Sequence, residues 1–167
     1  MKLIGPKVKG SGREWPYYSG KNHRLIIEEM IESNPSEGGL IDYKFFCFNG
    51  KVEFLYVMGD REIGKSVKVS LFDRNFVKLP VSRVGDEEFL KARKPENFDE
   101  MISVAEKLSE EFPHVRVDLY NVNGKILFGE LTFYNASGYM LFEPDSFDVE
   151  IGKRWDIKDY NNYNTKH

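Results

Sequence analysis

The strongest pattern in the chain is helical. Phe98, Met101, Ile102, Ala105, Leu108 and Phe112 recur at three- and four-residue steps, which predicts a helix over 98–112 with one apolar stripe. Asn97 stands where an N-cap belongs, and Asp99 and Glu100 fall in the first turn, at the positive end of the helix dipole. Pro113 closes the element, because the residue before a proline is pushed out of helical conformation.

The rest of the pattern is β-like. Residues 41–48 and 52–57 are rich in aromatic and β-branched side chains and are separated by Asn49-Gly50. That dipeptide tolerates positive φ at both positions and predicts a tight hairpin. Residues 115–122 and 126–133 repeat the arrangement around Asn123-Gly124. Val67, Val69 and Leu71 alternate with Lys68 and Ser70, the pattern of a half-exposed strand. A further strand is predicted over 24–31, centred on Leu25, Ile26 and Ile27, followed by a loop through Ser33 to Gly39. Residues 75–95 read as loop with one short helical turn at 87–92, and 147–154 as a short helix. The order β, ββ, β, α, ββ predicts an α+β domain with a mainly antiparallel sheet and the long helix on one face. It divides the chain into an extended lead-in over 1–22, a domain over 23–157 and a polar tail over 158–167.

Composition narrows the function. A chain of 167 residues with 41% hydrophobic and 14% aromatic content can bury a core and is not a disordered segment. A net charge of −3 gives no electrostatic footprint for nucleic acid, so an anionic ligand must be held locally, by a few placed cations or a metal ion. The single cysteine, Cys47, excludes an internal disulfide and a cysteine zinc site. No signal-peptide core and no run long enough for a membrane span are present, which predicts a cytoplasmic protein.

The candidate chemistry lies in the second hairpin. Alternation places Arg116 and Asp118 on one strand face and Val115, Val117 and Leu119 on the other. Glu130 and Thr132 share a face of the returning strand. A two-residue turn sets Asp118 opposite residue 129, with Glu130 opposite Val117 or beside Asp118, depending on register. Close carboxylates repel unless a cation or proton lies between them. Oxygen ligands of this type suit magnesium, which takes one or two carboxylates together with substrate phosphates. The alternative from spacing alone is a solvated salt-bridge cluster on an open sheet.

Several segments in order carry a family resemblance. They are Asp42-Tyr43-Lys44-Phe45-Phe46-Cys47-Phe48-Asn49-Gly50, Phe112-Pro113-His114-Val115-Arg116-Val117-Asp118-Leu119-Tyr120 and Phe128-Gly129-Glu130-Leu131-Thr132-Phe133. Arg13-Glu14-Trp15-Pro16-Tyr17 and Gly152-Lys153-Arg154-Trp155 fit the same pattern. Together they resemble the C-terminal half of an ATP-grasp domain of the TupA-like kind, which belongs to bacterial cell-surface polymer biosynthesis, including capsule and cell wall.

The resemblance implies ATP and Mg2+ as ligands. Arg116 would contact the phosphates or the acyl phosphate, and Asp118 and Glu130 would be magnesium ligands. Thr132 stands where the superfamily usually has an asparagine ligand, and Asn135 is a substitute candidate. Residues 26–31 resemble the adenine-binding hinge, with backbone groups of Glu29 and Ile31 on the adenine edge and Glu28 at its amino group. Asp42 and Lys44 would reach ribose and phosphate, and Arg61 is a further phosphate contact. The implied activity is carboxylate–amine ligation of a small-molecule or polymer substrate. A non-catalytic nucleotide- or partner-binding remnant is the alternative, as is a glycosyltransferase of polysaccharide biosynthesis, although no Asp-x-Asp motif is present. ATP-grasp enzymes also carry a preceding subdomain with a lysine and a glycine-rich loop. Lys7 to Gly12 is glycine-rich but has no flanking strand pair. The expectation is therefore an incomplete enzyme, binding ATP poorly by itself and completed by a separate polypeptide.

Overall fold

The computed structural model describes residues 26–60 and 67–156. Its centre is a six-stranded sheet. Strands β1 (Asp42–Phe48), β2 (Lys51–Gly59) and β3 (Lys68–Asp73) form an antiparallel meander. Two short strands follow, β4 (Ser82–Arg83) and β5 (Glu87–Glu88), then helix α1 (Phe98–Ser109). Strands β6 (His114–Val122) and β7 (Lys125–Thr132) make the second hairpin. Strand β8 (Phe142–Glu143) and helix α2 (Ser146–Gly152) complete the fold. The sheet order is β5-β3-β2-β1-β6-β7, and β4 pairs with β8 in a small second sheet. Among the described residues the β3–β5 pairing is the parallel one in the main sheet.

Both Asn-Gly turns adopt the conformation their chemistry predicts, with φ of 51° and 74° at Asn49 and Gly50 and of 53° and 79° at Asn123 and Gly124. Each hairpin brings a strand to one side of the sheet centre, and β1 pairs with β6 to join them. All seven residues of β1 are consequently buried.

The two sheet faces differ. Tyr43, Phe45, Cys47, Leu55, Val57, Val115, Val117 and Leu119 form one face, and α1 packs there through Phe98, Met101, Ile102 and Ala105. Leu108 is only partly buried at the edge of this core. Phe46, Phe48, Phe54, Tyr56, Val69 and Leu71 form the other face, covered by Phe142 and Phe147 from β8 and α2. That cover extends over β1 to β3 but leaves the stretch of β1, β6 and β7 that carries polar residues. No helix among the described residues is long and apolar enough to cross a membrane.

Some expectations need correction. Residues 26–31 do not form a strand; Ile26, Ile27 and Met30 are exposed, so among the described residues the apolar run pairs with no neighbour that would bury it, and Arg24 and Leu25 lie outside the described residues. Strand β3 is not half-exposed, because Val69 and Leu71 enter one core, Phe72 enters the other, and the Ser70 hydroxyl donates to the Phe89 carbonyl at 3.0 Å. The predicted turn at 87–92 is instead β5 followed by a buried Phe89. Its ring occupies space that Gly59 and Gly38 leave open: a Cβ at Gly59 would stand 2.3 Å from it. Asn97 makes no capping bond. Its amide nitrogen donates to the Gly124 carbonyl at 2.9 Å and its oxygen accepts from Asn121 at 2.6 Å, tying the helix start to the β6–β7 turn.

Candidate functional site

The polar stretch is built by register. In the β1–β6 pairing Lys44 faces Asp118, Asp42 faces Tyr120 and Phe46 faces Arg116. In the β6–β7 pairing Leu119 faces Phe128, but Asp118 faces Glu130 and Arg116 faces Thr132. The register therefore shifts between Asp118 and Leu119, leaving Gly129 as the extra residue of a bulge. Counting from a two-residue turn sets Asp118 opposite residue 129, and the bulge corrects this by one. Gly129 suits the position: a Cβ there would lie 3.0 Å from the Asp118 carbonyl oxygen and 3.2 Å from the Tyr120 ring.

Arg116 organises the cluster. Its Nε donates to Asp118 Oδ1 at 2.7 Å, and one terminal nitrogen donates to Asp118 Oδ2 at 2.8 Å and Glu130 Oε1 at 2.9 Å. The same nitrogen reaches the Thr132 hydroxyl at 2.9 Å, and the other terminal nitrogen donates to the Asn135 amide oxygen. Thr132 donates to Glu130 Oε1 at 3.1 Å. Lys44 is ion-paired with Asp118 and, at 2.8 Å, with Asp42. Burial of Arg116 works to lower its pKa, but the hydrogen bonds and charge of Asp118, with the charges of Glu130 and Asp42, outweigh it and raise the pKa. Arg116 is thus held as a cation against three acids. Asn135 opens a short 3-10 turn in which Ala136 and Ser137 take positive φ of 45° and 57°. Left-handed backbone at two successive non-glycine residues is a local strain of the kind found beside functional sites.

Four residues of the cluster border a cavity of about 700 Å³. Asp42, Lys44, Asp118 and Glu130 line it, as do Glu28, Glu29 and Ile31. The predicted hinge segment therefore lies along the same cavity, although as irregular chain. Arg61 lies outside the described residues. Sequence reasoning missed Tyr120, Lys125, Leu127 and Phe128, which line the cavity from β6 and β7. Lys125 follows the Asn-Gly turn directly, and only the bulge, which has no sequence signature beyond Gly129, determines how β7 meets the cavity.

The donor chemistry can be set against a magnesium–nucleotide complex. Among the described residues no three His, Cys, Asp or Glu side chains are grouped to hold a metal ion unaided. Two carboxylates directly opposite each other on adjacent strands are present, with lysine and arginine beside them. That set fits magnesium, which draws its remaining ligands from phosphates and water.

No curated protein and no solved structure matches the chain. A profile of the family described as TupA-like ATPgrasp matches residues 7–156, which include every element of the sheet and both helices. The mixed α+β architecture is consistent with that match, and the chain belongs to the TupA-like ATP-grasp family.

Proposed function

We propose that the face formed by β1, β6 and β7 binds ATP with Mg2+ and serves a carboxylate–amine ligation in the synthesis of a bacterial cell-surface polymer. The observation that carries this reading is the pairing of Asp118 with Glu130 across the hairpin, both lining the cavity and both bonded to Arg116. Asp118 and Glu130 would hold the metal ion, which neutralises charge on the transferring phosphoryl group when bound. Arg116 and Lys44 supply the cations that orient phosphate oxygens. The backbone of residues 28–31 supplies adenine contacts from the other side of the cavity, and Asp42 reaches the ribose.

In this reading a substrate carboxylate attacks the γ-phosphorus and ADP leaves. An amine then displaces phosphate from the acyl phosphate, forming an amide. Arg116 acts in both steps by positioning oxygens whose charge grows, an effect worth more in a site from which water is excluded. A second reading is supported by the burial of Asp118, whose oxygens are already engaged by Lys44 and Arg116. In it the network is structural and the domain holds nucleotide without chemistry. Hydroxylamine trapping separates the two. ADP release and hydroxamate formation on adding ATP, magnesium and a panel of carboxylic acids, both lost in Glu130→Gln, support ligation. Nucleotide binding without hydroxamate from any acid supports the second reading.

A further inference from the structure

A second cavity, of about 370 Å³, lies on the same face of the sheet. Its lining includes Phe48, His114, Asn135, Asp148 and Trp155. The two cavities are linked through one side chain: Arg116 bonds Asp118 and Glu130 of the first cavity and Asn135 of the second.

The second cavity is built differently. Its rings pack on one another, with His114 4.4 Å from Phe48 and 5.2 Å from Trp155 between centroids. Trp155 is held by its own backbone bond to Gly152 at 3.2 Å, and the neighbouring Arg154 carbonyl accepts from the Asn49 amide at 3.1 Å. His114 Nδ1 lies 2.9 Å from the Cys47 carbonyl oxygen. A carbonyl only accepts, so Nδ1 carries the hydrogen and Nε2 keeps its lone pair. Burial, opposed by the Cys47 bond and aided by the charge of Arg116, lowers the His114 pKa from 6.5, so the ring is neutral at pH 7. Among the described residues of this lining Asp148 is the charged side chain, whereas the first cavity has Lys44 and Lys125. An anionic ligand would meet a carboxylate in this lining, and the nearby Arg116 is already bonded to Asp118, Glu130 and Asn135. A cation would meet a carboxylate, aromatic faces and an imidazole lone pair, the combination that recognises ammonium groups.

We propose that the second cavity is the subsite for the amine acceptor, a primary ammonium group on a small ring or short chain, held by Asp148, the faces of Phe48 and Trp155, and His114 Nε2. The assignment of this ammonium as acceptor rests on the ligation reading; the binding site itself does not. Its volume falls within the range of small-molecule sites, roughly 300–1,000 Å³.

The test uses the full chain with Trp15→Phe, so that Trp155 alone reports by fluorescence. Glucosamine and n-butylamine are titrated without nucleotide, beside glucose and n-butanol as neutral counterparts. Saturable change with an amine is expected, about ten-fold tighter than with its neutral counterpart. Glucosamine alone saturating indicates a ring-borne amine, and butylamine alone a chain-borne one. Asp148 is exposed, so Asp148→Asn keeps the fold and should weaken amine binding by a similar factor. Absence of saturation, equal binding of neutral compounds, or indifference to Asp148→Asn overturns the proposal. Amine binding that persists in a chain unable to bind ATP keeps this site and removes the nucleotide reading instead.

Discussion

Asp118→Asn tests whether the polar cluster is a buried network or a solvated surface. Asp118 is 1% exposed and Lys44 8%, so neither group can turn to bulk water when its partner changes. The substitution preserves shape but replaces a carboxylate that accepts from Lys44 and twice from Arg116 with an amide that can present N–H to those donors. Removing one partner of a buried pair costs about 3–5 kcal/mol when the other is left uncompensated. Here Lys44 keeps Asp42 and Arg116 keeps Glu130, so the cost should sit at about 3 kcal/mol, the lower end. For a domain of this size that is a fall in Tm of about 6–12 °C, at roughly 2–4 °C per kcal/mol. Scanning calorimetry on both proteins measures it. A double-mutant cycle with Lys44→Met adds a second check, because residues sharing a network are not additive. An unchanged Tm, or strict additivity in the cycle, would refute the network and favour a loose surface cluster.

Other substitutions probe the supports of the site. Met101→Ala, at a fully buried position under the sheet, should cost about 2–5 kcal/mol in chemical denaturation and leave nucleotide affinity unchanged. Gly129→Ala places a Cβ 3.0 Å from the Asp118 carbonyl; it should cost about 1–3 kcal/mol by crowding and also weaken nucleotide binding, since the bulge sets Glu130 opposite Asp118. His114 has a lowered folded-state pKa, so the unfolded chain binds the extra proton first as pH falls. Stability should therefore drop as pH falls below about 6.5, level off below the folded pKa, and lose that slope in His114→Gln. A pH-independent stability difference between the two proteins would remove this account of His114.

Much of the fold was legible because its signals are local. The Asn-Gly turns, the stripe from Phe98 to Ala105 and the alternation of Arg116 and Asp118 with Val115 and Val117 each specify conformation within a few residues. The failures depend on partners distant in sequence. Ile26 and Ile27 look like a strand, yet no neighbour among the described residues covers them. Phe89 is buried only because Gly38 and Gly59 leave room for its ring. The residues Asp42, Lys44, Arg116, Asp118, Glu130, Thr132 and Asn135 were all named from the sequence, and the structure joins them in one bonded network. Their pairing was not legible, because a one-residue bulge at Gly129 decides which carboxylate faces which. The aromatic cavity around Trp155 was not legible either, since it draws on β1, β6, α2 and the turn after β7.

The claim on which the functional account depends is that Asp118 and Glu130 bind magnesium together with ATP. Calorimetric titration of the full chain with ATP, with and without magnesium, tests it directly, beside Glu130→Gln. Glu130 has an exposed side chain, so that substitution changes the ligand set without threatening the core. The account predicts saturable heat with magnesium, none without it, and affinity weakened about ten-fold or more in the variant. ATP binding indifferent to magnesium, or unchanged in Glu130→Gln, would contradict it.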